Sequence, residues 1–320
     1  MDKQYPTDLM EFEEQFSTEE ACRDYLIQLR WPEGYVCPRC GGRDAWQTRR
    51  HLWVCRRCEY QLSVTAGTLF QDTHKPLRLW FRALWHVTNQ KQGASALGVQ
   101  RVLGLKSYPT AWSWLHKLRR AMVRPGRDRL AGAVEVDETY GGGLREGKRG
   151  RGSEGKALVI IAAQKDGDKI GRIRLARVAD ASAPSLVGFV QQAVEPGAEV
   201  QTDGWDSYGG LEDLGYRHQV TVLRGRGKSA ATDMLPRVHL VASLLKRWLL
   251  GTHQGAVGAN HLDYYLDEFT FRFNRRTSRS RGKLFYRLAE QAVDLEPIHF
   301  KEILGGKGNP QPIAQLESIK

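Results

Sequence analysis

Long apolar runs are missing from this 320-residue sequence. With no stretch of about 18 apolar residues, no membrane-spanning helix is expected. Residues Met1 to Asp8 lack the basic and apolar regions of a secretory signal. Cysteine is scarce: Cys22, Cys37, Cys40, Cys55 and Cys58 are the whole complement, and four of them fall into two Cys-x-x-Cys pairs. That excludes a disulfide-stapled secreted scaffold and favours metal binding. Acidic residues are also short. Thirty-six Asp and Glu face 48 Lys and Arg, a formal charge of +12 with a pI near 9.6. Such an excess points to a polyanionic partner, nucleic acid first and an anionic membrane second. These absences together describe a soluble cytosolic protein. What is present is ordinary for a globular chain: 41% hydrophobic residues, at a length that can build two or three domains.

In chain order, Ser17 to Glu20 reads as a capping box, followed by Ala21, Cys22, Tyr25, Leu26 and Leu29 at helical spacing. Cys22 lies on the apolar face and reads as a packed core thiol. Next come Cys37-Pro-Arg-Cys40 and Cys55-Arg-Arg-Cys58, fourteen residues apart. Each pair is a turn that aims two thiolates at one ion. Two such turns close a tetrahedral zinc site with no open position, which is structural and not catalytic. A redox role fits less well, because that motif normally occurs once and opens a helix. Trp46, Trp53 and Tyr60 interleave with Arg43, Arg49, Arg50, Arg56 and Arg57. The mixture suits a nucleic-acid surface or a solvated ribbon with a few packed aromatics.

Residues 76–124 read as helical. Pro76 suits a first helical position, and Leu77, Trp80, Phe81, Leu84 and Trp85 form a stripe. A shorter helix spans 94–103, a turn follows over 104–108, and Pro109 starts a third. The third buries Trp112, Leu115 and Leu118 and carries Lys117, Arg119 and Arg120, with Arg124 beyond. Two helices around a short Gly-containing turn suit a helix-turn-helix, or simply packed helices.

The chemistry-bearing residues lie further on. Val134 to Gly143 alternates apolar and polar residues and stops at a glycine run, a strand delivering Asp137 to its end. Glu199 to Trp205 does the same with Asp203. Between them, 156–164 and 170–178 read as strands and 183–194 as a crossover helix; 218–223 reads as a further strand. The basic glycine-rich segment 141–156 suits a loop against phosphates or a solvated one. Residues 235–250 form an amphipathic helix with Leu240, Val241, Leu244, Leu245 and Trp248 as its buried stripe. His239 and Lys246, seven apart, project from one side of it. Two carboxylates and a third ligand can hold a pair of divalent metals for phosphoryl transfer on nucleic acid. After a helix over 261–274, residues 272–283 hold six basic residues and no acid, a phosphate-binding or solvated surface.

The blocks VDETYGGG from Val136, TDGW from Thr202, SLLKRWLLGTH from Ser243 and YLDEFTFRFNRR from Tyr265 resemble the IS1595 family of insertion-sequence transposases. Their catalytic domain is also called ISXO2-like. The likeness runs from about Phe16 to about Val293 and includes the zinc ribbon. It implies a multidomain α/β protein with an RNase H-like, retroviral-integrase-like catalytic domain over 129–295. Before that stand a leading helix (1–30), a zinc ribbon (31–70) and a helix-turn-helix-like DNA-binding domain (71–128); a tail covers 296–320. It also implies a central sheet with the Asp137 and Asp203 strands side by side. The implied activity is binding of element ends, DNA cleavage and joining of 3′-hydroxyl ends to target DNA. The implied partners are double-stranded DNA and further copies of the chain assembled on it.

The resemblance makes Asp137 the ligand bridging two Mg2+ or Mn2+ ions, with Asp203 and His239 holding one each and Lys246 contacting DNA near the scissile phosphate. Cys37, Cys40, Cys55 and Cys58 hold structural Zn2+. The third ligand, usually Glu or Asp, is His239 here, and the family tolerates Asn or His at that position. A neutral imidazole suits manganese better than magnesium. Asp233 and Glu268 are the alternative carboxylates. Two other functions fit parts of the pattern: a DNA-binding regulator with an inactive nuclease-like domain, and a hydrolase of RNA–DNA hybrids.

Overall fold

The computed structural model describes residues 5–124, 126–141, 157–221 and 234–306. The chain divides into two compact units: residues up to 124 with 278–304, and residues 125–277 with the C-terminal remainder. No helix among the described residues is long and apolar enough to cross a membrane.

The first unit is helical around a small ribbon. Helix α1 (Leu9–Gln15) is capped by Asp8, whose side chain accepts from the N–H groups of Met10 and Glu11. Helix α2 (Glu19–Arg30) begins one residue later than the sequence pattern suggests. Thr18, not Ser17, is the cap, accepting from Ala21 N–H at 3.0 Å. Strands β1 (Ala45–Gln47), β2 (Trp53–Cys55) and β3 (Gln61–Leu62) form an antiparallel ribbon. Helices α3 (Leu77–Asn89), α4 (Ala96–Leu103) and α5 (Tyr108–Arg120) follow. Pro76 stands just outside α3, and the Glu19 carboxylate caps that helix, accepting from Leu77 and Arg78 N–H at 2.7 and 3.2 Å.

Two later helices join this unit: α9 (Arg281–Asp294) and α10 (Phe300–Leu304). They cluster with the N-terminal helices and not with residues 125–277. The reason is the apolar stripe of α9. Phe285 is fully buried and meets the rings of Phe12, Phe16, Tyr25, Phe81 and Trp85 at 5.4–6.1 Å. Burying such a ring stabilises by about 1.5–3 kcal/mol, so the cluster holds α9 with the N-terminal helices. Gly282 makes the approach possible, because a Cβ there would collide with the Pro6 carbonyl.

The second unit is a five-stranded mixed sheet between helices. Strands β4 (Ala133–Gly141), β5 (Ala157–Asp166) and β6 (Lys169–Val178) form an antiparallel meander. Strand β7 (Glu199–Asp203) pairs parallel to β4, and β8 (Arg217–Thr221) parallel to β7, giving the order β6-β5-β4-β7-β8. The crossover to β7 is helix α6 (Ala183–Ala193), which buries Leu186, Phe189 and Val190 against Val134, Val136, Ile160 and Val200. On the opposite face, α7 (Pro236–His253) and α8 (Leu262–Asn274) pack on Val159, Ile161, Ala163, Ile173 and Leu175. Because side chains alternate along a strand, Glu135 and Asp137 share the α7 face while Val134 and Val136 face α6.

The buried stripe of α7 is Val238, Val241, Leu245 and Leu249. Leu240, expected inside, is exposed; it lies one residue off the rotation that the sheet selects. Half of the basic run over 272–283, which begins in the last turn of α8, is committed to the fold. Arg272 pairs with fully buried Glu268 at 2.7 Å. Arg275 and Arg276 lie over the rings of Phe271 and Phe273, and Arg276 also donates to the carbonyls of Ile170 and Gly171.

Candidate functional sites: a four-cysteine ribbon and a carboxylate cleft

In the ribbon, two turns have the same construction. Gly41 N–H donates to the Cys37 carbonyl and Glu59 N–H to the Cys55 carbonyl, each at 2.9 Å. Each of these residues adopts left-handed backbone, with φ of +69° at Gly41 and +57° at Glu59. Gly42 packs closely on the thiols: a Cβ there would lie 3.3 Å from both Cys40 Sγ and Cys55 Sγ, and these would have to give by a few tenths of an ångström. The sulfurs of Cys37 and Cys58, and of Cys40 and Cys55, are 3.6 Å apart, and all four lie within 4.8 Å of one another. Tetrahedral zinc with Zn–S near 2.3 Å sets sulfurs about 3.8 Å apart, so the quartet fits structural Zn2+. Burial opposes ionisation of Cys37, yet the N–H groups of Cys40 and Arg39 and the adjacent thiols hold its pKa down to about 6.

Tyr35 stacks on Trp53 at 5.4 Å and Trp31 closes the packing, so Trp53 supports the ribbon. Trp46 and Tyr60 are exposed. Cys22 is fully buried, and desolvation pushes its pKa up to about 12, as suits a packed core thiol.

The α4–α5 pair has the expected turn, with Ser95 capping α4 and left-handed Gly104 ending it. The third helix differs from its reading. Trp114 is buried where Trp112 was expected, and Arg119 is 1% exposed and not part of a basic surface. Most of α5 is internal. Tyr108 and Pro109, in its first turn, remain exposed.

In the second unit, one cleft of about 470 Å³ is lined by Asp137, Glu138, Thr139, Pro236, His239, Leu240, Ala242, Ser243 and Lys246. It brings together three of the four residues singled out from the sequence. His239 Nδ1 lies 3.5 Å from Asp137 Oδ2, and Lys246 stands two turns further along the same wall of α7. Asp203 does not line this cleft. It ends β7, two residues past Gln201, which pairs with Glu135, just as Asp137 lies two residues past Glu135. Asp203 Oδ1 accepts from Trp205 N–H at 3.1 Å.

Two residues that sequence reasoning passed over organise this end of the sheet. Fully buried Tyr208 donates from its hydroxyl to Glu138 Oε2 at 3.1 Å. Burial first, then the charges of Glu138, Asp137 and Asp203, raise its pKa, so it stays a donor. Glu135, 1% exposed, accepts from Arg237 N–H and Val238 N–H and pairs with the Arg237 guanidinium. Glu135 stands in the polar register of β4, on the same face as Asp137, so the alternation gave no sign that its carboxylate is buried. Of the fallback third carboxylates, Glu268 is not a cleft residue, being buried on Arg272, and Asp233 lies outside the described residues, as does the basic segment 142–156.

Among the described residues, the cysteines are the one group of three or more ligand-type side chains within 4.8 Å of one another. Asp137, Asp203 and His239 are spread more widely. A pair of divalent ions about 4 Å apart needs a wider ligand set than one ion, and two carboxylates with an imidazole are donors of the right kind.

A closed four-thiolate ribbon in one unit and strand-end carboxylates on a mixed sheet in the other define a zinc-ribbon α/β protein. Residues 17–61 match the family model of a transposase zinc-ribbon domain, and residues 129–274 that of an ISXO2-like transposase domain. A protein described as an uncharacterized protein in transposable element ISH50, from Halobacterium salinarum, is 27% identical over 288 residues, covering 84% of this chain and 94% of that relative. The chain thus carries a zinc-ribbon domain and an ISXO2-like domain of the IS1595 transposase type.

Proposed function

We propose that the chain is an insertion-sequence transposase that cuts DNA at element ends and joins the freed 3′-hydroxyls to target DNA. The observation that carries this reading is the single cleft holding Asp137, His239 and Lys246, beside the parallel strand that ends in Asp203. The sheet order, with the two aspartate strands adjacent and parallel, supports an RNase H-like catalytic domain.

Magnesium or manganese held by Asp137, Asp203 and His239 would, when bound, activate water and relieve charge at phosphorus. The chain's own groups do the rest. Asp137 and Asp203 concentrate negative charge at one end of the sheet. His239 contributes a neutral nitrogen only while deprotonated. Lys246 offers an ammonium to a backbone phosphate from the same helical wall. Hydrolysis breaks the P–O3′ bond and leaves a 3′-hydroxyl and a 5′-phosphate. That hydroxyl then attacks a target phosphodiester and expels the target's own 3′-oxygen, with no covalent protein intermediate. Zinc takes no part in these steps. The ribbon, with exposed Trp46 and Tyr60, and the first turn of α5 supply surfaces for end binding.

The test is strand transfer by purified protein with the element's own ends and Mg2+ or Mn2+. Asp137→Ala and Asp203→Ala should abolish nicking and joining while gel shifts match wild type. His239→Glu should recover activity lost in His239→Ala and shift the preference toward magnesium. Near wild-type joining by either aspartate variant refutes the site.

A further inference from the structure

The Glu135 carboxylate is the least expected group in the second unit. It stands on the central strand between Val134 and Val136, both fully buried, and is itself 1% exposed. Burying a carboxylate costs several kcal/mol unless it is paired and hydrogen-bonded. Its partners all belong to the first turn of α7. Oε2 accepts from Arg237 N–H at 2.7 Å and from Val238 N–H at 3.0 Å, and Oε1 accepts from Arg237 Nη1 at 3.0 Å. This turn has few other means of satisfaction. Leu235 at the cap position offers no side-chain acceptor, and Pro236 has no N–H. The next amide, His239 N–H, already bonds to the Leu235 carbonyl at 3.2 Å. Glu135 therefore meets both amides that the helix leaves open, at the end where the helix dipole favours negative charge. Arg237 extends the clamp by donating to the carbonyls of Lys169 and Gly167 in the β5–β6 turn.

The same strand face carries Asp137 two residues on, about 6.7 Å along the strand. The same helical turn carries His239 two residues beyond Arg237, about 3 Å along the axis. We infer that Glu135 is a positioning residue: by clamping the first turn of α7 to the sheet, it sets His239 opposite Asp137. The apolar stripe of Val238, Val241, Leu245 and Leu249 fixes how α7 is rotated, but apolar contact is non-directional and tolerates sliding. The charged clamp fixes where the helix starts. This inference rests on the proposed role of His239.

The experiment is a double-mutant cycle in the full-length protein: wild type, Glu135→Gln, His239→Ala and the pair. Each is scored for Mn2+ binding by electron paramagnetic resonance without DNA, for strand transfer against Mn2+ concentration, for gel shift and for thermal melting. Glu135→Gln keeps the shape but loses the charge and should weaken Mn2+ binding and raise the half-saturating concentration by about 10- to 100-fold. In the His239→Ala background it should add less than twofold. Equal losses in both backgrounds, or wild-type Mn2+ binding by Glu135→Gln, overturn the inference. Should Glu135→Gln fail to fold, Arg237→Gln loosens the same carboxylate while leaving both backbone bonds. It should weaken Mn2+ binding several-fold, and unchanged binding overturns the inference. An active Asp137→Ala would instead refute the proposed function, so the two failures are distinct.

Discussion

Glu268 and Arg272 offer a sharp test of which carboxylates serve the cleft and which serve the fold. Glu268 is fully buried, and its Oε1 receives both Arg272 Nε at 2.8 Å and Arg272 Nη2 at 2.7 Å. The Arg272 side chain is only 14% exposed. Arg272→Met removes the guanidinium from a fully buried carboxylate, which costs up to about 3–5 kcal/mol. A domain of this size loses about 2–4 °C of melting temperature per kcal/mol, so the transition of the second unit should fall by up to about 10 °C. Glu268→Gln is milder. The amide still accepts a hydrogen bond and the cation keeps some access to water, so about 1–2 kcal/mol is expected. Replacing both, Glu268→Leu with Arg272→Met, should recover much of the loss, because a well-packed apolar pair matches a buried ion pair. Calorimetric melts of the full-length variants measure these values, with strand transfer assayed below the melting range. Glu268→Gln that melts near wild type yet has lost metal-dependent strand transfer would refute the structural assignment and return Glu268 to the ligand set.

Four further outcomes are expected. Cys37→Ser should release about one zinc per chain by metal analysis and weaken end binding, and zinc-free pure wild type would contradict the ribbon. Protons compete with zinc for the four thiolates, so zinc should be retained near neutral pH and released as the pH falls, which a colorimetric chelator can follow. Tyr208→Phe removes the donor to Glu138 and should cost about 1 kcal/mol by denaturant titration and slow strand transfer, whereas an unchanged rate would mean Glu138 needs no such orientation. Glu59→Gly relieves a left-handed non-glycine position matched in the other turn by Gly41, and should stabilise the zinc-loaded ribbon by up to about 1 kcal/mol by thermal melting; a loss would mean that the Glu59 side chain has an unseen partner.

Local spacing carried a large part of this molecule. The two Cys-x-x-Cys turns needed only their own residues to aim four thiols at one point, and the sulfurs stand at zinc spacing. Alternation along β4 placed Asp137 on one face, and a seven-residue interval put His239 and Lys246 on one wall of α7. These are properties of a backbone repeat, and a sequence displays its repeats directly. Other features were decided by partners far away in the chain. Arg119 and Arg272 look like surface cations in sequence and are interior in the fold, because an arginine's neighbours in space are not its neighbours in sequence. The same holds for α9, whose basic start suggested an open surface while Phe285 drew the helix into the N-terminal aromatic cluster. Leu240 faces the cleft because docking on the sheet chose one rotation among several that its apolar pattern allowed. Glu135 shows the limit most clearly: its carboxylate is tolerable in a central strand only because a helix start more than a hundred residues later supplies two amides and a guanidinium. Charge burial is settled by such long-range pairing, and only the tertiary structure contains it.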